Sequence, residues 1–136
     1  AYHHRLSDGT DIPDNYEAKI QRSVTSDQIA AENGEEILLA RMDGAPERLV
    51  SIVRAKAYTA VRMRCSTREF HERLLAENLS LADFHDPGLT SLPGGIPVMD
   101  RDVCLGAVAV SGRTLSQDVD LAEYFAHVLV KLCAMD

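Results

Sequence analysis

A glycine-rich loop and a nearby histidine carry the residue types best suited to chemistry in this sequence. In the segment Pro93-Gly94-Gly95-Ile96-Pro97, two adjacent glycines allow bare backbone amides to approach a carboxylate or a phosphate. His85 lies shortly before this loop, where the adjacent Asp86 can orient its imidazole as an acid, a base or a metal ligand. The plainer interpretations are a tight loop leading into a hairpin and an exposed loop histidine. We predict a site with Gly94, Gly95 and Ile96 as ligand-binding residues and His85 as a catalytic residue.

Four further side chains are candidates for binding a ligand. Arg41 can pair with a carboxylate of the protein or of a ligand, and Asp43 can cap the first amides of the helix that follows. We predict that both bind the ligand, with a structural ion pair as the alternative. His71 and His127 lie within predicted helices, where a solvated face and a packed histidine are the alternatives to a ligand role.

The sequence lacks the motifs of the common enzymes and metal sites. It contains no P-loop, HExxH, dinucleotide-binding or Ser-His-Asp elbow pattern. Its three cysteines show no close spacing, and an odd number does not make a disulfide framework. We therefore predict no metal site, and we expect a cytoplasmic protein.

Length and composition limit what the chain can be. Its 136 residues predict one domain, which we place at residues 16–136 after a flexible polar arm at residues 1–15. The formal net charge of -7 would repel a phosphate backbone, and no apolar run is long enough to span a bilayer. We expect a small-molecule ligand as partner, and neither nucleic acid nor a membrane.

The elements that must position these residues begin with a hairpin. Asn33-Gly34 is a strong reversal signal, and the strand Ile37–Arg41 follows it. Ser26–Ala31 is hard to read by itself, and as the first strand of this hairpin it would be unusually polar. Further upstream, Asp14–Val24 has an apolar residue at every fourth position, which predicts a short helix.

Two helices come next. Pro46 suits the first turn of a helix that ends near Arg64. Ser66 and Glu69 fit a capping box that opens a second helix, which runs to about Asn78. Residues 83–95 are rich in proline and glycine, so we predict a loop there.

A second hairpin and a last helix complete the chain. The strands Ile96–Met99 and Val103–Ser111 form the hairpin, in which Gly106 marks a bulge or a close approach of another backbone. Thr114 caps a final helix whose apolar stripe should cover the sheet. This order predicts an α+β fold, an α-β-α layered domain around an antiparallel sheet.

Three segments taken together are specific. They are Leu39-Ala40-Arg41-Met42-Asp43-Gly44-Ala45, Lys56-Ala57-Tyr58-Thr59-Ala60, and Pro93-Gly94-Gly95-Ile96-Pro97-Val98 with the glycine-containing strand that follows. In this combination the chain resembles the haem-degrading, GlcG-like family, which includes the HbpS haem-binding proteins and the C-terminal domain of PduO-type proteins. The resemblance implies a sheet of roughly five antiparallel strands, a symmetric homo-oligomer, and an association with haem, corrinoid-linked pathways or small-acid metabolism.

The sequence departs from that family at two places. Members typically have a strongly apolar first strand, whereas the matching stretch here is the polar 26–34. Haem-binding members carry an axial histidine in the first helix, and the predicted helix Asp14–Val24 contains none. Haem is therefore a possible cofactor whose axial ligand stays open.

The resemblance also adds two residues to the predicted site. Arg54 and Lys56 lie two positions apart on a helix and point in different directions, and Lys56 is the one within the family-like segment. Its amine can neutralise an anionic ligand or, if desolvated, act as a base; a surface charge is the alternative. Tyr58 adds a hydroxyl donor.

These observations lead to one functional hypothesis and one alternative. The first is an oligomeric small-molecule-binding protein whose ligand is a haem-like tetrapyrrole or a small organic acid. The alternative is a cofactor-independent lyase, isomerase or hydrolase on the same scaffold. In that enzyme Lys56 or His85 would transfer the proton, and the loop amides would stabilise an oxyanion.

Overall fold

Four strands and three helices make up the part of the chain that the computed structural model describes, residues 26–31, 36–41 and 44–133. In chain order they are β1 (Ser26–Ala31), β2 (Glu36–Arg41), α1 (Arg48–Met63), α2 (Thr67–Ala76), β3 (Gly95–Asp100), β4 (Val103–Ser111) and α3 (Leu115–Cys133). Several predicted features lie outside the described residues: the arm 1–15, the helix Asp14–Val24, the turn Asn33-Gly34, and Asp43.

The strands form one antiparallel sheet in the order β2-β1-β4-β3. Polar β1 pairs with β2 on one side and with β4 on the other, so that Gln28 lies opposite both Leu39 and Ala109. The antiparallel arrangement is therefore as predicted, and β1 is the unusually polar first strand that the predicted hairpin requires. The described residues supply four strands where the family resemblance implies about five.

Helix α1 packs on one face of the sheet through small side chains. Val53, Ala57 and Ala60 are fully buried against Ala107 and Ala109 of β4. Alanine on both sides lets the helix and the strand approach closely, and dense packing of this kind leaves no room for larger groups. The helix ends as predicted, at Arg64 in a left-handed conformation with φ 56°.

Helix α3 covers the opposite face of β3 and β4. Val108 and Val110 alternate with the alanines of β4 and pack against Leu121, Ala122 and Ala126. At the start of α3, Thr114 and Gln117 exchange side-chain to backbone hydrogen bonds of 3.2 and 3.3 Å, which is the predicted cap. The described domain is therefore the predicted stack of helix, sheet and helix.

Helix α2 and the long loop after it form a smaller cluster beside α1. The Ser66 hydroxyl accepts a 3.1 Å hydrogen bond from the Glu69 amide and thereby caps α2, which is one of the two hydrogen bonds of the predicted capping box. Phe70 and Leu74 of α2 pack with Leu89 of the loop. The loop contains one short 3-10 turn, Leu81–Phe84, and is otherwise irregular until β3 begins.

The hairpin of β3 and β4 contains the bulge that Gly106 predicts. Val98 lies opposite Gly106 and Met99 lies opposite Cys104, so Leu105 is an extra residue on β4.

Among the residues that the structure describes, no helix combines the length and the apolar character needed to cross a membrane.

Candidate functional site

Polar side chains of the first two helices form hydrogen bonds with the backbone of the glycine-rich loop and of the residues just before it. The Thr59 hydroxyl accepts a 2.9 Å hydrogen bond from the Thr90 amide, and the Thr67 hydroxyl accepts a 3.0 Å bond from the Gly95 amide. Both threonines are fully buried. The Gly95 amide is therefore already bonded within the protein, whereas the sequence suggested that loop amides could face a ligand.

Both glycines of the loop are required by close contacts. A β-carbon on Gly95 would clash with the carbonyl oxygen of Lys56. One on Gly94, whose φ is +125°, would lie 2.7 Å from the Val110 oxygen and 2.8 Å from the Lys56 ammonium. The loop therefore lies between α1 and the end of β4 and is in close contact with both.

Lys56 lies inside the domain and forms an ion pair. Its ammonium donates to the Val110 carbonyl at 2.8 Å and to Oδ2 of Asp118 at 3.1 Å. The two charged side chains are only 1% and 2% exposed. The other carboxylate oxygen of Asp118 accepts a 3.0 Å hydrogen bond from the Arg113 amide. The pair therefore links α1, the end of β4 and the first turn of α3.

Burial acts against both charges of this pair. Desolvation lowers the pKa of Lys56 and raises the pKa of Asp118, and the attraction between the two groups opposes each shift only in part. Sequence reasoning selected Lys56 but not Asp118. No local signal joins two residues that are 62 positions apart.

Tyr58 and His85 lie at a second place, beside the long loop. The Tyr58 hydroxyl donates a 2.6 Å hydrogen bond to Asp86, which also accepts one from the Gly88 amide at 3.0 Å. The bond from Tyr58 lowers the pKa of Asp86 and raises the pKa of Tyr58 itself. Next to Asp86, His85 is exposed in a left-handed conformation with φ 52°.

A cavity of about 380 Å³ opens at this place. We call it the loop cavity, and its lining residues are Leu81, Ala82, His85, Asp86, Pro87 and Leu89. The guanidinium of Arg62 approaches Asp86 to 3.8 Å. The cavity therefore combines an apolar floor with an imidazole and a carboxylate that Tyr58 holds in place.

A third place is a groove of about 290 Å³ between β3 and α3. We call it the edge groove, and its lining residues are Ile96, Pro97, Val98, Met99, Glu123, Ala126, His127 and Val130. Because β3 is the last strand of the described sheet, four consecutive residues of it can reach the groove. The helix contributes residues three to four positions apart, which lie on one face.

Three side chains that line the edge groove can bind polar groups of a ligand. His127 supplies an imidazole, Met99 a thioether and Glu123 a carboxylate, and the remaining lining residues are apolar. Burial raises the pKa of Glu123, Asp120 raises it further, and the charge of Arg68 lowers it. Sequence reasoning placed Ile96 in the site and weighed His127, but it did not find Met99 or Glu123.

The predicted site residues thus fall into separate regions. Gly94, Gly95 and Lys56 form the buried junction, Tyr58 and His85 belong to the loop cavity, and Ile96 lines the edge groove. Arg41 lies elsewhere, at the end of β2, where its guanidinium donates a 3.1 Å hydrogen bond to the Ala45 carbonyl. Within the described ranges, no three His, Cys, Asp or Glu side chains are grouped so that they could hold a metal ion.

Comparison with known proteins identifies relatives over most of the chain. Residues 16–126 match the family described as "Haem degrading protein HbpS-like". The chain is 36% identical over 103 residues to protein GlcG of Escherichia coli K12, which covers 76% of this chain and 75% of GlcG. It is also 36% identical over 92 residues to an uncharacterised 15.0 kDa protein of Citrobacter freundii. That second match covers 66% of this chain and 65% of the relative.

A solved structure shares the fold. A PduOC–heme complex superposes with a TM-score of 0.69 at 21% sequence identity, over 82% of this chain and 84% of the other. At that identity the likeness establishes the architecture alone, since one fold can host many functions.

Proposed function

The chain belongs to the HbpS-like family, and from this premise we propose that it is a haem-related binding protein whose ligand is haem or a similar tetrapyrrole. The observation that carries the proposal is the imidazole of His127 in the otherwise largely apolar edge groove. A haem-bound structural relative supports the choice of ligand class.

The edge groove fits the chemical demands of a haem. A macrocycle needs an apolar surface, which Ile96, Pro97 and Val130 offer, and its iron needs a donor atom such as a histidine nitrogen. The propionates need polar or cationic neighbours, and Arg68 lies close enough for its charge to act on Glu123. Bound there, haem would be held by His127 and would supply a redox-active iron.

Titration with haemin tests this function. We expect a saturable shift of the Soret absorption for the wild-type protein and for His85→Ala, and loss of that shift for His127→Ala. The two variants form a matched pair, because each removes one imidazole from the lining of one cavity. Loss of the shift in His85→Ala alone would place the iron donor in the loop cavity. No saturable shift in the wild-type protein would overturn the proposal.

The loop cavity supports a second candidate, a site for a small organic acid or for proton-transfer chemistry. The specific observation is the Tyr58–Asp86 hydrogen bond beside an exposed His85, in reach of the Arg62 guanidinium. Of the two proposed bases, His85 faces this cavity, whereas Lys56 is buried at the junction. Calorimetric titration with small carboxylic acids checks this candidate, and binding that is unchanged in His85→Ala and Tyr58→Phe would contradict it.

We also propose that the protein assembles into a homo-oligomer. Val103 is 57% exposed and Leu105 39% exposed on β4, where the bulge lies, and Ile37 is 65% exposed on β2. Exposed apolar side chains favour association with another chain, and β2 is in addition an edge strand of the described sheet. Sedimentation velocity should show a species larger than the monomer, and a monomer at micromolar concentration would refute the assembly.

A further inference from the structure

Both walls of the edge groove start at the buried Lys56–Asp118 pair. Gly94 directly precedes β3, the first wall, and Asp118 lies in the first turn of α3, the second wall. The groove residues follow in the same direction along both elements, from Ile96 to Met99 and from Glu123 to Val130. The pair therefore lies where the strand and the helix begin to run side by side.

The contacts of the pair fix three backbones relative to one another. Lys56 belongs to α1 and bonds the Val110 carbonyl and the Asp118 carboxylate. The amide of the same Val110 donates a 3.0 Å hydrogen bond to the Gly94 carbonyl, which joins β4 to the start of β3. Asp118 in turn holds the Arg113 amide at the entry to α3. One ammonium group thus connects both walls of the groove through short, fully buried bonds.

Stability alone does not account for an ion pair at this depth. Taking two charges out of water is costly, and well-packed apolar residues of similar volume are often as stabilising as a buried pair. What a directional buried pair does provide is a fixed geometry. We infer that Lys56 and Asp118 are positioning residues that set the width of the edge groove, and thereby the placement of His127 toward its ligand.

The identity of the ligand in this inference rests on the proposed function. The part that concerns the geometry of the groove does not depend on it. Its test uses the double variant Lys56→Met/Asp118→Asn, which removes both charges and keeps the side-chain volumes. The asparagine oxygen can still accept the hydrogen bond from the Arg113 amide. Val53→Ala is the matched control, because Val53 is fully buried on the same helix but packs in the alanine cluster and not at the pair.

Two measurements are made on each protein at equal folded fraction. The first is the rate at which diethyl pyrocarbonate modifies His127, resolved by peptide mass spectrometry. The second is the haemin dissociation constant. We expect the double variant to show a several-fold change in the modification rate and a haemin affinity lowered by about tenfold, the lower end of what loss of a positioning partner costs a metal-binding side chain. We expect Val53→Ala to match the wild type in both.

Unchanged His127 reactivity in the folded double variant would overturn the inference and leave the pair a purely structural role. A wild-type protein that binds no haemin would overturn the proposed function, while the modification rate would still decide the positioning role. If the double variant fails to fold, Asp118→Glu is measured in the same way, since it keeps both charges and changes the length of the side chain that joins α3 to Lys56.

Discussion

Replacing Lys56 with methionine should destabilise the domain severely at neutral pH. Methionine fills a similar volume, so the main change is loss of the ammonium that faces Asp118 at 3.1 Å. The Asp118 carboxylate, 2% exposed in the wild type, would lose its cation and keep the hydrogen bond from the Arg113 amide. Breaking a buried pair by removing one partner costs about 3–5 kcal/mol, which is a large fraction of the roughly 5–15 kcal/mol that stabilises a typical domain.

Urea denaturation followed by circular dichroism measures this loss. With an m-value of about 2 kcal/mol/M, the midpoint should fall by about 2 M. Adding Asp118→Asn to Lys56→Met removes the unpaired charge, so the double variant should recover more than half of the lost free energy of unfolding. A fall of less than about 0.5 M in the single variant would refute the argument, as would a double variant no more stable than the single one.

The same variant makes a prediction about pH. Without the ammonium, the pKa of Asp118 in the folded state rises further above its ordinary value, because the cation that lowered it is gone. A folded-state pKa above the unfolded one means that the folded protein binds the proton more tightly, so acidification favours folding at this group. The stability gap between wild type and Lys56→Met should therefore narrow as pH falls from 7 toward about 4, and it should not do so for the double variant.

Two further pairs of substitutions test other contacts. Gly95→Ala places a β-carbon against the Lys56 carbonyl and should cost about 3 kcal/mol or more, whereas Gly44→Ala meets nothing within 4 Å and should cost only about 1 kcal/mol for its φ of +87°. Equal losses in the urea midpoint would contradict the clash. Ser66→Ala removes the cap of α2 and should cost about 1 kcal/mol, and Ser66→Thr should restore most of it; no loss would mean that the 3.1 Å bond contributes nothing.

Local signals in the sequence predicted most of the fold. Ser66 and Thr114 stand where side-chain oxygens cap the helices, and Arg64 ends α1 at the predicted position. Alternation along β4 puts alanines toward one helix and valines toward the other. These features depend on residues near one another in the chain, and for that reason the sequence alone reveals them.

Features that depend on distant residues could not be predicted in the same way. β1 is a polar strand whose backbone pairs with β2 and β4. Backbone pairing does not require a regular spacing of apolar residues, and Ser26–Ala31 has no such spacing. The partner of Lys56 lies on another helix. The edge groove exists only because β3 ends the described sheet beside α3, which brings Met99 and His127 to one surface.

The segments that carry the family resemblance explain why it identifies the fold better than the ligand. Lys56 and Thr59 of one segment bond to Val110 and Thr90, and Gly95 of another is wedged against the Lys56 carbonyl. These segments therefore join the layers of the domain at one buried junction. His127 lies outside them, on the part of α3 that faces the edge groove. Ligand binding in this protein must accordingly be tested at the groove side chains, because variants of the junction change stability and groove geometry together.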